Sequence, residues 1–125
     1  MRLRSLPKWG GERVWKMYSI DTIRNHLEQQ YHLPNEQVEV MLPSFIKTLS
    51  NHMVDLHDAL AQGDLLLLGR AGHTIKGAFL NLGLDECAQL ALRIEQSGKA
   101  GDASEDYKRL IRQISTRVAP VLQAL

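Results

Sequence analysis

The regular spacing of apolar residues restricts the fold of this chain more than any other feature. Between Asn35 and Gln62, apolar residues recur every three or four positions, which is the repeat of one face of an α-helix. These residues are Val38, Leu42, Phe45, Leu49, Met53, Leu56 and Leu60. Later stretches show the same spacing, and no stretch shows the signals of a β-hairpin. The sequence therefore predicts an all-α fold in which each helix buries one face.

Residues that start and stop helices divide this pattern into one short helix and four longer ones. Asp21 is expected to cap the short helix, which ends near Gln30, and Asn35 to cap the next helix, which ends near Gln62. Within that second helix, Pro43 predicts a kink or a restart. Gly63 is expected to end the second helix and Asp64 to cap the third, and Gly83 to end the third and Asp85 to cap the fourth. The fourth helix is expected to end near Gln96, before a loop with Gly98 and Gly101, and Ser104 to cap the last helix. Because the connections are short, we expect an antiparallel up-down-up-down four-helix bundle with the short extra N-terminal helix across one end.

The segment His73-Thr74-Ile75-Lys76-Gly77 combines a nucleophile, a cation and a glycine on one predicted helix. If Ile75 marks the buried face, His73 lies about 160° and Lys76 about 100° around the helix axis. Gly77 also lies near the exposed side. An exposed, neutral imidazole can accept a phosphoryl group, and a lysine three positions later can reach its oxygens. A glycine within a helix costs about 1 kcal/mol relative to alanine, so we interpret Gly77 as space beside the imidazole.

This segment resembles the histidine-containing phosphotransfer (HPt) domain family. That family carries a His-x-x-Lys-Gly motif with a further glycine six residues later, matched here by His73, Lys76, Gly77 and Gly83. The family also has aliphatic residues at the positions of Ile75 and Leu82. Two further stretches are similar to it: Phe45 to Gly63-Asp64, and Arg93-Ile94-Glu95 with Gly98-Lys99. The resemblance therefore covers about residues 35–122. Two departures are Gly72, where alanine is commoner, and Ala78-Phe79, where the family often has two small residues.

The resemblance implies a protein that relays a phosphoryl group between aspartates of receiver domains, through a phosphohistidine at His73. The receivers would belong to a hybrid histidine kinase and a response regulator of a two-component system. The sequence has no nucleotide-binding motif, so we expect a phosphocarrier without kinase activity of its own. We expect no cofactor in this chain, because the family places the magnesium ion in the partner receiver domain. Whether the chain is free-standing or a segment of a hybrid kinase stays open.

Several residues near His73 are candidates for contact with such a partner. Leu66 and Leu80 lie on the histidine side of the predicted helix and would form an apolar docking surface, with Arg70 beside them. The resemblance adds Gln96 and Lys99 on the following helix to this predicted surface. The resemblance also places a polar residue at Glu95, where it could orient the imidazole; a surface glutamate that contacts only solvent is the alternative.

The ends of the chain differ in charge and pattern. Residues 1–16 hold five basic side chains and one acidic side chain, whereas the whole chain has a formal net charge of +1. We interpret residues 1–16 as a basic, flexible tail and residues 17–125 as the bundle domain. A tail that binds nucleic acid or a membrane is the alternative, but we expect neither partner.

Cysteine content and hydropathy indicate a cytoplasmic protein. The single cysteine, Cys87, excludes an internal disulfide and is expected to be a packed thiol without a redox function. The longest apolar run, residues 65–68, is far too short to span a membrane, and the basic N-terminal residues are not followed by the apolar core of a signal peptide, so we expect a cytoplasmic location. No heptad pattern supports a coiled-coil dimer, so we expect a monomer.

Two other functions are compatible with a helical bundle. A metal-binding four-helix protein could use His52, Asp55 and His57, but His52 and His57 diverge by about 140° on a helix and no Glu-x-x-His pair exists. An adaptor that keeps the docking surface without chemistry would be expected to lack the histidine that stands at position 73. The other four histidines, His26, His32, His52 and His57, match no position of the phosphotransfer motif.

Overall fold

The computed structural model describes residues 17–125, which form five helices and no strand. The helices are α1 (Ile20–Tyr31), α2 (Asn35–Gln62), α3 (Leu65–Leu82), α4 (Asp85–Lys99) and α5 (Tyr107–Leu122). Helices α2 and α4 each pack against both α3 and α5, and α1 packs against α2 and α3. The prediction of an all-α fold is confirmed. The predicted tail, residues 1–16, lies outside the described residues. None of the described helices has the length and apolar content that a membrane span requires.

The core consists of one buried stripe from each helix. On α2 the stripe contains Val38, Leu42, Ile46, Leu49, Met53, Leu56 and Ala59. Two predicted core residues, Phe45 and Leu60, are only partly buried. Ile46 follows Phe45 and Ala59 precedes Leu60 in sequence, and these two residues are buried instead. The helical repeat of 3.6 residues does not match a spacing of three or four exactly, so the residue that faces the core shifts by one position along a long helix.

Three of the predicted helix boundaries are confirmed in detail. Gly63 ends α2 with φ of 68° and Gly83 ends α3 with φ of 78°, a left-handed backbone conformation that glycine adopts at little cost. The carboxylate of Asp64 accepts a hydrogen bond of 3.0 Å from the backbone N–H of Leu67 and so caps α3. Both ends of the helix that carries His73 therefore follow directly from the sequence.

Four predicted caps are wrong. Three of these residues lie inside the first turn of a helix: Asp21 in α1, Asn35 in α2 and Asp85 in α4. Acidic and polar side chains are also favourable there because they face the positive end of the helix dipole. Ser104 lies in the turn before α5, and its hydroxyl donates to the carboxylate of Asp102 over 2.6 Å. The cap of α5 is Asp106, which accepts from the N–H of Arg109 over 3.1 Å.

Two further boundaries differ from the sequence prediction. Helix α2 continues through Pro43 as one element, so no restart occurs there. Helix α4 extends to Lys99, past the predicted end at Gln96. Gly98 is therefore helical and buried, whereas Gly101 forms the predicted turn with φ of 68°. Gly98 stays helical because α3 packs directly against it.

Cys87 is a packed thiol, as predicted. Its side chain is fully buried, and burial raises the pKa of the thiol to about 12. Nearby, the hydroxyl oxygen of Tyr18 accepts hydrogen bonds from the backbone N–H groups of Glu86 and Cys87, over 3.0 and 3.2 Å. These N–H groups belong to the first turn of α4 and lack helical partners, so Tyr18 satisfies them and joins the start of the described chain to α4.

Alanine substitutions of Gly63 and Gly83, the glycines that end α2 and α3, test how tightly α1 packs against the end of α3. Gly63→Ala should destabilise the protein by about 1 kcal/mol, because it adds only the left-handed strain of a non-glycine residue in open space. Gly83→Ala should cost more, about 2–4 kcal/mol, because its Cβ would also lie 2.5 Å from Cγ of His26 on α1. Urea unfolding monitored by circular dichroism measures both values. Equal losses of stability in the two variants would show that α1 moves away from the added methyl group without further destabilisation.

Candidate functional site

His73 lies in the middle of α3 on the side away from the core. Its side chain is 61% exposed, whereas Ile75, two residues later, is fully buried. The predicted orientation of this segment is therefore confirmed. Capping at Asp64 and at Gly83 fixes the register of α3, and burial of Ile75 fixes its rotation, so the position of His73 follows from the helix that carries it.

A single carboxylate lies next to the imidazole. Glu95 on α4 is only 9% exposed and is the one charged residue in the buried set between residues 17 and 125. One of its oxygens, Oε2, lies 2.9 Å from Nδ1 of His73 and 3.0 Å from Nζ of Lys99. The other, Oε1, accepts a hydrogen bond of 2.6 Å from Nζ of Lys76. Three potential donors from two helices therefore converge on Glu95.

These contacts keep Glu95 ionised. The hydrogen bond from Lys76 is the main cause that lowers the pKa of Glu95 to about 2; burial opposes this effect, and Lys99 and His73 add to it. An ionised carboxylate can only accept hydrogen bonds, so Nδ1 of His73 carries the proton that it donates. In this tautomer the lone pair lies on Nε2, which has no hydrogen-bond partner within residues 17–125.

Lys76 contacts Glu95, a contact that the sequence motif did not indicate. Its side chain is 24% exposed, and its ammonium group donates to the carboxylate beneath the histidine. An ammonium group has three N–H donors, so two remain for another ligand. Lys99 is more exposed and approaches the same carboxylate one helical turn after Glu95. The site therefore holds two cations against the one anion that contacts Nδ1 of the imidazole.

Gly77 leaves the space beside His73 open. A Cβ atom built at this position would meet no atom within 4 Å. Gly77 also borders a groove between α2 and α3, together with Thr48, Leu49 and Thr74. A side chain at position 77 would occupy this open space.

The residues predicted to bind a partner are all exposed on α3 or α4. Leu66 and Leu80 are 49% and 50% exposed. Arg70, Gln96 and Lys99 are exposed as well. The structure thus leaves all five accessible on the two helices that form the site, and their function in binding stays a prediction.

Glu95 is the residue whose importance the sequence left open, and the structure excludes a glutamate that contacts only solvent. Its signal in the sequence was its position: Glu95 follows Ala88 and Ala91 on the apolar face of α4. A charged residue on a buried face requires partners, because an unpaired charge is costly to bury. The partners lie on α3 at positions that α4 reaches only in the folded chain, so the pairing could not be read from spacing.

The other histidines have different surroundings. His57 lies on α2, where its Nε2 is 3.2 Å from the hydroxyl of Ser115 on α5. His26 on α1 packs against Gly83. Between residues 17 and 125 no group of three or more His, Cys, Asp or Glu side chains is arranged to hold a metal ion.

A helical domain with an exposed histidine, supported by a buried carboxylate and two lysines, has the features of a phosphate-carrying domain. A family model described as Hpt domain matches residues 40–123, which cover most of α2 and all of α3 to α5. This match extends over more than half of the chain, so the chain belongs to the Hpt domain family. Membership implies histidine phosphotransfer in two-component signalling, and Hpt domains are phosphocarriers rather than kinases. A search of the curated proteins gives no match, and a search of the solved structures gives none.

The lowered pKa of Glu95 predicts how stability depends on pH. An unfolded chain has a glutamate pKa of about 4.3, so on acidification the unfolded state binds this proton before the folded state does. The stability that ionised Glu95 contributes is therefore complete above about pH 5 and is lost as the pH falls toward about 2. Glu95→Gln should remove this component, so its free energy of unfolding should decrease less than that of the wild type between about pH 6 and about pH 3.

Urea unfolding at a series of pH values measures this difference. Glu36→Gln removes an exposed carboxylate on α2 and so controls for the change in net charge. Equal pH dependence of Glu95→Gln and the wild type would contradict the ion-pair arrangement around Glu95.

Proposed function

We propose that this protein carries a phosphoryl group on Nε2 of His73 and relays it between aspartates of receiver domains. One receiver would belong to a hybrid histidine kinase and the other to a response regulator. The observation that carries this proposal is the contact between Nδ1 of His73 and the ionised carboxylate of Glu95. It directs the lone pair of the imidazole to the exposed nitrogen, which is the one that a partner protein can approach.

The proposed reaction needs no proton transfer at the attacking atom. The lone pair of Nε2 attacks the phosphorus of an aspartyl phosphate, a new N–P bond forms, and the P–O bond to the aspartate carboxylate breaks. The ring gains positive charge because Nδ1 keeps its proton, and the Glu95 carboxylate at 2.9 Å stabilises that charge. The reverse step transfers the group to the carboxylate of the next receiver and restores the neutral imidazole.

Lys76 and Lys99 are proposed to stabilise the transferred group. With Glu95 they carry a net charge of +1, and each ammonium group keeps donors that Glu95 does not use. Phosphoryl transfer depends mainly on alignment and on neutralisation of the phosphoryl oxygens, so cations held on one side of the imidazole suit it. Because Glu95 fixes both lysines, they lose little side-chain freedom when the phosphoryl group arrives.

Partner docking is proposed on the exposed side of α3 and α4. Leu66 and Leu80 lie before and after His73 on α3 and supply apolar area, and Arg70 and Gln96 supply polar contacts around it. The open space at Gly77 lets the phosphorylated side chain of the receiver approach the imidazole. We propose that the chain needs no cofactor of its own and that magnesium belongs to the receiver domain.

The architecture that supports this function is inferred to be an antiparallel up-down-up-down bundle of α2 to α5, with α1 as the extra helix. Two-residue connections join α2 to α3 and α3 to α4, and a connection of seven residues joins α4 to α5. Connections of this length favour antiparallel neighbours. A monomer in the cytoplasm stays our expectation for the working state of the protein.

The first test is transfer from a receiver domain that carries labelled phosphate on its aspartate, without ATP. Wild type should become labelled, the label should be labile in acid and stable in base, and His73→Gln should take up none. His57→Gln, which changes an exposed histidine on α2, should be labelled like the wild type. Circular dichroism should show all three folds intact.

Label on His73→Gln would place the phosphoryl group elsewhere. Absence of label on the wild type with several receivers, together with measurable binding to them, would instead favour an adaptor.

Lys76→Ala should slow transfer about tenfold, which corresponds to about 1.4 kcal/mol of lost stabilisation of the transition state. The reason is that the variant removes the ammonium group that pairs with Oε1 of Glu95 and that is proposed to neutralise the phosphoryl oxygens. Rapid-mixing measurement of label transfer gives the rate, and Lys47→Ala, an exposed lysine on α2, is the control. An unchanged rate would remove Lys76 from the proposed mechanism.

A further inference from the structure

Helices α3 and α4 cross at three glycines directly beneath the site. A Cβ atom on Gly98 would lie 2.6 Å from the backbone nitrogen of Gly69 and 2.7 Å from the carbonyl oxygen of Leu65. A Cβ atom on Gly69 would lie 2.8 Å from the backbone nitrogen of Lys99. Real side chains do not reach such distances, so the two backbones touch here and only glycine permits it.

The third glycine, Gly72, lies next to the residues of the site. A Cβ atom on it would lie 3.0 Å from the backbone nitrogen of Glu95 and 3.1 Å from the carbonyl oxygen of Ala91. Gly72 immediately precedes His73, and Glu95 lies one turn before Gly98. The two backbones approach most closely at Gly69 and Gly98. One turn away, at Gly72, they are still close enough for the Glu95 side chain to reach His73 and Lys76 from α4.

Three glycines within contacting helices are costly for the helices themselves. Each costs about 1 kcal/mol relative to alanine within an exposed helix. Packing alone could be achieved with alanine, which is commoner at position 72 in the family, and a slightly larger separation of the helices. A larger separation would, however, withdraw the Glu95 carboxylate from Nδ1 of His73, because Glu95 bridges the two helices with one side chain.

We infer that Gly72 is a positioning residue for phosphotransfer: by lacking a side chain it lets α4 approach α3 until Glu95 bonds to Nδ1 of His73. This inference rests on the proposed function of His73. Gly69 and Gly98 support the same approach from the next turn. Gly72 acts through Glu95 and touches no reacting atom, so its effect should depend on the presence of the Glu95 carboxylate.

Gly72→Ala tests the inference because its Cβ requires α4 to move by only a few tenths of an ångström. The hydrogen bond between Glu95 and His73 should lengthen, and the fraction of neutral His73 with its proton on Nδ1 should decrease. Nitrogen-15 NMR of the imidazole measures that fraction directly, without any phosphorylated partner. Transfer from a labelled receiver should slow by roughly three- to tenfold.

A double-mutant cycle separates this effect from a general loss of packing. In a Glu95→Ala background, Gly72→Ala should cause no further slowing of transfer, because the side chain through which it acts is absent. Ile114→Val, which removes one buried methyl group from α5 at a cost of about 1 kcal/mol, should leave both the tautomer and the transfer rate as in the wild type. Independent, multiplicative effects of Gly72→Ala and Glu95→Ala would overturn the inference.

Glu95→Asp provides a second test if Gly72→Ala does not fold. It withdraws the carboxylate by one methylene group and leaves the glycine crossing untouched. It should decrease the Nδ1-protonated fraction and slow transfer in the same direction as Gly72→Ala. A wild-type tautomer and rate in Glu95→Asp would show that the helix separation does not matter. Because the NMR measurement needs no transfer, failure of this inference is distinguishable from failure of the proposed function.

Discussion

The carboxylate of Glu95 is the group on which the arrangement of the site depends. It is buried between two helices, and its charge is balanced by Lys76 on α3 and Lys99 on α4. Removing the carboxylate would leave both lysines without their anion and would release Nδ1 of His73. One side chain therefore joins the packing of α3 against α4 to the chemistry of the imidazole, because an ion buried between helices must be paired to be tolerated.

The two sides of α3 serve different purposes, and helical geometry connects them. Ile75 and Phe79 are fully buried and fix the rotation of the helix, so that His73 must face outward. Gly69 and Gly72 of the same helix are buried against α4, whereas Gly77 lies near the exposed side with His73. Gly72 allows contact with α4, whereas Gly77 leaves open space beside the imidazole and the groove toward α2. The absence of a side chain thus allows close helix contact at Gly72 and leaves open space at Gly77, five residues later.

Much of the site could be predicted because it lies on one continuous helix. The exposure of His73, the boundaries at Asp64 and Gly83, and the open position of Gly77 all follow from local periodicity and capping. The contact between Glu95 and Lys76 could not be predicted in this way. It joins residues 19 positions apart on different helices, and its distance depends on how closely those helices approach. The predicted loop at Gly98 is wrong for the same reason, because a buried contact with α3 keeps that glycine helical.

The sequence by itself determined that the chain is all-α, that it buries Ile75, and that it presents His73 with Lys76 and Gly77 nearby. It did so because the helical repeat of 3.6 residues converts spacing into direction without any knowledge of the neighbours. Only the tertiary structure decided that Glu95 would be ionised beneath the imidazole and that Nε2 would be the free nitrogen of His73. Those properties require two backbones to approach through Gly69, Gly72 and Gly98, and a distance between helices is set by their packing.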